Sequence, residues 1–130
     1  MLFVLVCLVA LAVLAGCGDD DEQPAAAGLA DLVVVVDPDG DQGGKPVRRA
    51  RVQCDEPADS AACRAASRLS PGDFAPVPDN TACTLQYGGP DTARVTGTLR
   101  GERVDARFQL DNGCEIHRWQ GVADLLGAAA

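Results

Sequence analysis

Six cysteines, one histidine and a short aspartate cluster are the residues of this 130-residue chain whose types could carry chemistry. Cys54, Cys63, Cys83 and Cys114 are spread through the body of the chain, while Cys7 and Cys17 belong to its apolar beginning. A structural zinc site draws on closely paired cysteines and histidines. No C-x2-C pair occurs, and the sole histidine, His117, falls on a helical pattern distant from most of the cysteines. Two disulfides are therefore expected rather than a metal site, with three pairings of the four cysteines open. The run Asp37-Pro38-Asp39-Gly40-Asp41 begins like a calcium loop. Its sixth position is Gln42 rather than glycine and its twelfth is Arg48 rather than an acid, so a solvated acidic turn is expected. Nucleophilic catalysis has little raw material: there is no G-x-S-x-G, no free thiol once both bridges form, and His117 reads as a helix surface residue. The chain is not expected to be an enzyme, and no cofactor is implied. What remains is the stretch Cys83-Thr84-Leu85-Gln86-Tyr87-Gly88-Gly89-Pro90, which places a leucine and a tyrosine on what reads as an exposed loop.

The segments that flank and position these residues begin with an apolar run from Leu2 to Ala15, ended by Gly16-Cys17 and an acidic stretch. It is shorter than the roughly 20 residues that span a bilayer and suits the apolar core of a signal peptide. Leu14-Ala15-Gly16-Cys17 resembles a bacterial lipobox, which makes Cys17 the lipidated first residue of the mature protein. No Lys or Arg precedes Lys45, so the basic segment that normally opens a signal peptide is expected from a start further upstream. The expected organisation is a signal peptide over 1–16, a lipidated cysteine with a flexible acidic tether over 17–30, and one domain over 31–127. The product is lipid-anchored outside the cytoplasm, or secreted, where disulfides persist. A net charge of -8 argues against nucleic acid and against electrostatic attachment to anionic lipid, so the lipid on Cys17 supplies the membrane contact. With few aromatics, the domain has little large side-chain surface to bury and calls for covalent support.

Hydrophobic periodicity fills in the domain. Leu32 to Val36 is a continuous β-branched run, read as a buried strand. Ala50, Val52 and Cys54 alternate with Arg49, Arg51 and Gln53, as a strand with one wet face does. Ala62, Cys63, Ala66 and Leu69 form a helical stripe over Ser60 to Leu69, with Asp59 or Ser60 as its N-cap. Two further alternations, Ala93 to Leu99 and Val104 to Leu110, flank Arg100-Gly101-Glu102 and predict a hairpin. Ile116, Trp119, Val122, Ala123 and Leu126 then recur at helical spacing and stop at Gly127. The fold class is α+β, an antiparallel sheet with two helices on one face.

The order Leu32-Val33-Val34-Val35-Val36-Asp37-Pro38-Asp39-Gly40, Val52-Gln53-Cys54-Asp55, Ala61-Ala62-Cys63, Asp73-Phe74, Cys83-Thr84-Leu85-Gln86-Tyr87, Gly97-Thr98-Leu99 and Asn112-Gly113-Cys114-Glu115 resembles the Streptomyces subtilisin inhibitor-like family. The resemblance covers nearly the whole mature domain. It implies bridges Cys54 to Cys63 and Cys83 to Cys114, and a sheet of about five strands. It also implies a substrate-like inhibitor of subtilisin-like or chymotrypsin-like serine proteases, with Leu85-Gln86 as the reactive bond. Ala82, Cys83, Thr84, Tyr87 and Gly88 would flank it in the reactive loop. A homodimer is usual for the family, although the apolar terminal strand segment is not found here, where Gly127-Ala128-Ala129-Ala130 closes the sequence. Gly88-Gly89 also departs from the family's compact aspartate-proline turn, and glycine's conformational freedom predicts a looser segment after the bond. The rival reading is a non-inhibitory membrane-anchored lipoprotein that uses the same fold as a binding or structural module.

Overall fold

The structure, a computed structural model, describes residues 28–128. The expected signal peptide, the expected lipidation site Cys17 and nearly all of the expected tether lie outside the described residues. Four antiparallel strands form one sheet in the order β2-β1-β3-β4: β1 (Ala30–Asp37), β2 (Arg48–Cys54), β3 (Thr92–Leu99) and β4 (Glu102–Phe108). The expected hairpin joins β3 to β4. Leu99 pairs with Glu102, and the two residues between them, Arg100 and Gly101, both take positive φ (51° and 80°), the backbone of a tight turn whose twist matches the strands.

Among the described residues the count is four strands rather than about five. Between the 3-10 turn Pro71–Phe74 and Thr92, the chain joins no ladder. Pro76, Pro78 and Pro90 fall in that interval, and each removes the N–H that a strand would contribute.

The continuous apolar run of β1 also behaves differently from its reading as a strand buried on both sides. Ala30, Leu32, Val34 and Val36 are buried, but Val33 and Val35 are only half-buried on the outer face. Both helices pack on the other face. α1 (Ala61–Ser67) starts at Ser60, whose hydroxyl accepts the Cys63 N–H at 3.0 Å, and it buries Cys63, Ala65 and Ala66. α2 (Gly113–Ala128) starts after Asn112, whose Oδ1 accepts the Glu115 N–H at 3.0 Å. It buries Val122, Leu125 and Leu126, so Leu125 takes the inward place expected of Ala123, which is exposed, and the helix runs one residue past Gly127. These helical residues share one core with Leu32, Val34, Val95, Leu99 and Phe108 of the sheet.

The outer face, which no helix covers among the described residues, gathers charge. Strand register aligns Arg49, Val35, Arg94 and Arg107 in one row, with Arg51 in the next row of that face and Arg103 in the row after it. Asp31 pairs with Arg51 at 2.9 Å and Asp105 with Arg94 at 3.0 Å, and the Arg51 hydrogen bond holds the Asp31 carboxyl below its ordinary range. A chain of net charge -8 thus keeps a basic sheet face.

The acidic turn after β1 is not solvated at Asp39. Asp39 is only 8% exposed, and its Oδ2 accepts the N–H groups of Gly44 (2.5 Å) and Lys45 (2.6 Å). The carboxylate closes the turn as a structural acceptor.

The first turns of α2 are fixed to the rest of the fold by Arg118. Its guanidinium pairs with Glu115 at 2.6 Å, both side chains being 13% exposed. It also donates to the carbonyls of Ala75 (2.8 Å), Arg107 (3.1 Å) and Phe74 (3.4 Å), and lies 4.7 Å over the Phe108 ring. One side chain therefore joins α2, the end of β4 and the start of the long loop. Replacing it strands the Glu115 carboxylate in a largely dry site, which is the costly way to break an ion pair. Arg118→Met is expected to lower stability by about 3 kcal/mol in urea titrations. Arg103→Met on the exposed sheet face is expected to change it by no more than about 0.5 kcal/mol.

Candidate functional site

Proline spacing leaves the segment from Ala75 to Asp91 without helix or strand, yet it is tied down at defined points. Its crest is Leu85, whose side chain is 100% exposed, followed by Tyr87 at 69%. Full exposure of a leucine forgoes about 2 kcal/mol of burial. In a domain with so few large apolar side chains, the crest is the place where that loss calls for an explanation in function.

Before the crest, Cys83 is bonded to Cys114 in the first turn of α2. The next residue, Thr84, accepts a hydrogen bond at its carbonyl from the Gly113 N–H at 3.0 Å. After the crest, the Gly88 N–H donates to the Leu110 carbonyl at 2.6 Å. A Cβ built on Gly88 would stand 3.1 Å from the Leu110 Cβ and 3.3 Å from Ile116. Glycine here permits close approach, and the segment after Gln86 is held rather than loosened, contrary to the expectation drawn from Gly88-Gly89. Leu85 and Gln86 thus sit between a covalent tie and a backbone hydrogen bond on one side and a second backbone hydrogen bond on the other.

The remaining cysteines pair as Cys54–Cys63, joining the end of β2 to α1. The two bridges close loops of different length, with sequence separations of 9 and 31. No protein-family model, curated protein or solved structure matches the chain.

Of the candidate stretch Ala82 to Gly88, the structure sets Ala82, Cys83, Thr84 and Gln86 against the start of α2 and ties Gly88 to Leu110 just before it, while Leu85 and Tyr87 stand exposed. His117 stands exposed on α2, lining a largely apolar groove of about 500 Å³ between the helix and the Pro76–Pro78 stretch. Among the described residues no group of three or more His, Cys, Asp or Glu side chains could hold a metal ion. Three residues of the site were not singled out by sequence. Gly113 and Leu110 hold the loop through their backbones, and Arg118 fixes its start. Backbone clamps leave no mark on residue type, apart from the glycine that close approach requires.

The groove leaves the loop before Leu85 without continuous packing beneath it, so its position rests on these ties. Cys83→Ser/Cys114→Ser is expected to cost about 4 kcal/mol of stability, against about 3 kcal/mol for Cys54→Ser/Cys63→Ser, by loop-closure entropy. Hydrogen exchange should separate the two pairs further. The Gly88 and Gly113 amides are expected to lose protection in the first variant and keep it in the second.

Proposed function

We propose that the chain is a substrate-like inhibitor of subtilisin-like or chymotrypsin-like serine proteases, a divergent member of the Streptomyces subtilisin inhibitor-like family. Leu85-Gln86 is its reactive bond. The observation that carries the reading is the fully exposed Leu85 at the crest of a segment tied two residues before it by a disulfide and three residues after it by a backbone hydrogen bond.

A protease binds such a segment as it binds a substrate. The loop backbone lies along the active-site cleft, Leu85 enters the pocket that selects the residue before the cut, and its carbonyl carbon faces the catalytic serine. Binding then recovers the burial that the free protein gives up at Leu85. Preorganisation makes the contact tight, because the loop loses little conformational freedom on docking. The same ties keep the two ends in place if the bond is opened. A leucine suits an apolar pocket and gives nothing to a pocket built around an aspartate, so trypsin is a poor target. Thr84 and Ala82 supply the preceding contacts, and Tyr87 supplies one beyond the bond. The lipid on Cys17 holds the inhibitor at the outer face of the membrane, with the acidic tether lifting the domain away from it.

The test uses the oxidised mature chain, 17–130, carrying Cys17→Ser, titrated against subtilisin and chymotrypsin. Stoichiometric inhibition is expected, weakened about 100-fold by Leu85→Asp. Leu85→Arg should shift inhibition towards trypsin. Digestion of the wild type at Leu85-Gln86, or inertness of both wild type and variant, would overturn the proposal. The non-inhibitory lipoprotein, using the fold as a binding or structural module, would then stand.

A further inference from the structure

The side chains on either side of Leu85 meet. The Thr84 hydroxyl donates to the Gln86 Oε1 at 3.0 Å, bridging the residues before and after the exposed leucine. Both lie against the start of α2, where Gly113 donates its N–H to the Thr84 carbonyl. That N–H belongs to the first helical turn, whose donors have no partner within the helix, so the loop carbonyl satisfies it without competition. The contact is close enough to exclude any larger residue. A Cβ on Gly113 would overlap the Thr84 Oγ1 and come within 3.1 Å of the Gln86 Oε1.

We infer that Thr84, Gln86 and Gly113 form a brace behind the Leu85-Gln86 bond that makes its cleavage reversible. The inference rests on the inhibitor reading and adds the residues that separate an inhibitor from a substrate with the same leucine. When the protease serine attacks, its Oγ bonds to the Leu85 carbonyl carbon, the bond to the Gln86 nitrogen breaks, and that nitrogen leaves as an amine carrying the proton delivered by the protease histidine. Two fates compete for the acyl-enzyme. Water can attack and leave a Leu85 carboxylate, or the Gln86 amine can attack the same carbon, re-form the peptide bond and release the serine, whose proton returns through the histidine. The second fate needs the Gln86 nitrogen to stay within reach of the acyl carbon. The Cys83–Cys114 bridge holds only the Leu85 side, and the Gly88–Leu110 hydrogen bond holds the chain two residues beyond Gln86. The Thr84–Gln86 bond holds Gln86 itself against its neighbour across the cut, and Gly113 lets α2 back both. These are positioning residues: none of them reacts.

The test incubates the mature chain with a catalytic amount of subtilisin until intact and cut forms stop changing, and reads their ratio by mass spectrometry. Stoichiometric inhibition and thermal unfolding are measured alongside. Thr84→Val keeps the shape and removes the donor, so it is expected to shift the ratio towards the cut form about fivefold, the effect of one hydrogen bond, with little change in melting. Gly113→Ala is expected to shift it about tenfold or more and to speed cleavage, although alanine improves helix propensity at that position. Thr84→Ser, which retains the hydroxyl, should restore the wild-type ratio. If wild type inhibits stoichiometrically while Thr84→Val leaves both ratio and cleavage rate unchanged, the brace is overturned and the inhibitor reading survives. If wild type is digested without forming a complex, the inhibitor reading falls and this inference falls with it.

Discussion

The Cys83–Cys114 bond is the constraint on which the loop depends, because it joins the long stretch from Ala75 to Asp91, which has no helix or strand, to the first turn of α2. A loop without a ladder satisfies few of its backbone groups internally, and in solvent it would sample many conformations. Fixing one residue of it to a helix start brings two backbone partners into range at once. Gly113 then reaches Thr84, and Gly88 reaches Leu110 just before the helix. Each hydrogen bond alone contributes about 1 kcal/mol, which would not hold an open loop against its entropy. With the cross-link in place they lock a loop whose freedom is already reduced.

That lock is only as firm as α2. The helix is held at its far end by Val122, Leu125 and Leu126 in the core, and near its start by Arg118. The Arg118 side chain reaches the carbonyls of Phe74 and Ala75, where the loop leaves the 3-10 turn, and the carbonyl of Arg107 near the end of β4. The loop is therefore anchored to one helix both where it begins and around its crest, and the helix is anchored to the sheet. Rigidity passes from the sheet through Arg118 to α2 and from α2 through Cys114 and Gly113 to Leu85.

Much of this fold was legible in the sequence where one physical signal dominated. Alternation in β2, β3 and β4 marked their wet faces, and a glycine-centred break marked the hairpin turn. β1 was harder to read, since a run of valines looks the same whether one face or both are covered, and Val33 and Val35 are half-buried on a face that none of the described helices covers. Four strands followed from the periodicity itself, whereas the count of about five came from the family resemblance. The exposed Leu85 and its neighbourhood were legible because cysteine, glycine and proline bracket it. Contacts made through backbone atoms were not. The Thr84–Gly113 and Gly88–Leu110 hydrogen bonds join residues far apart in sequence, and nothing about a leucine at 110 announces that its carbonyl will be used. Asp39 misled for the related reason that an aspartate in a turn can face water or close the turn, and only the position of Gly44 and Lys45 decides which.

The distribution of apolar surface ties stability to the proposed activity. The chain has few large side chains, yet it leaves Leu85 and Tyr87 outside the core and compensates with two cross-links and a largely buried ion pair. A structural module under selection for stability alone gains by turning a leucine inward, and the groove beneath the Pro76–Pro78 stretch offers apolar walls to receive one. Leu85 is instead held away from that groove by the same ties that order the loop around it. Covalent and backbone restraint thus replaces side-chain burial as the source of order at the crest, and this leaves the leucine free to be buried by something else.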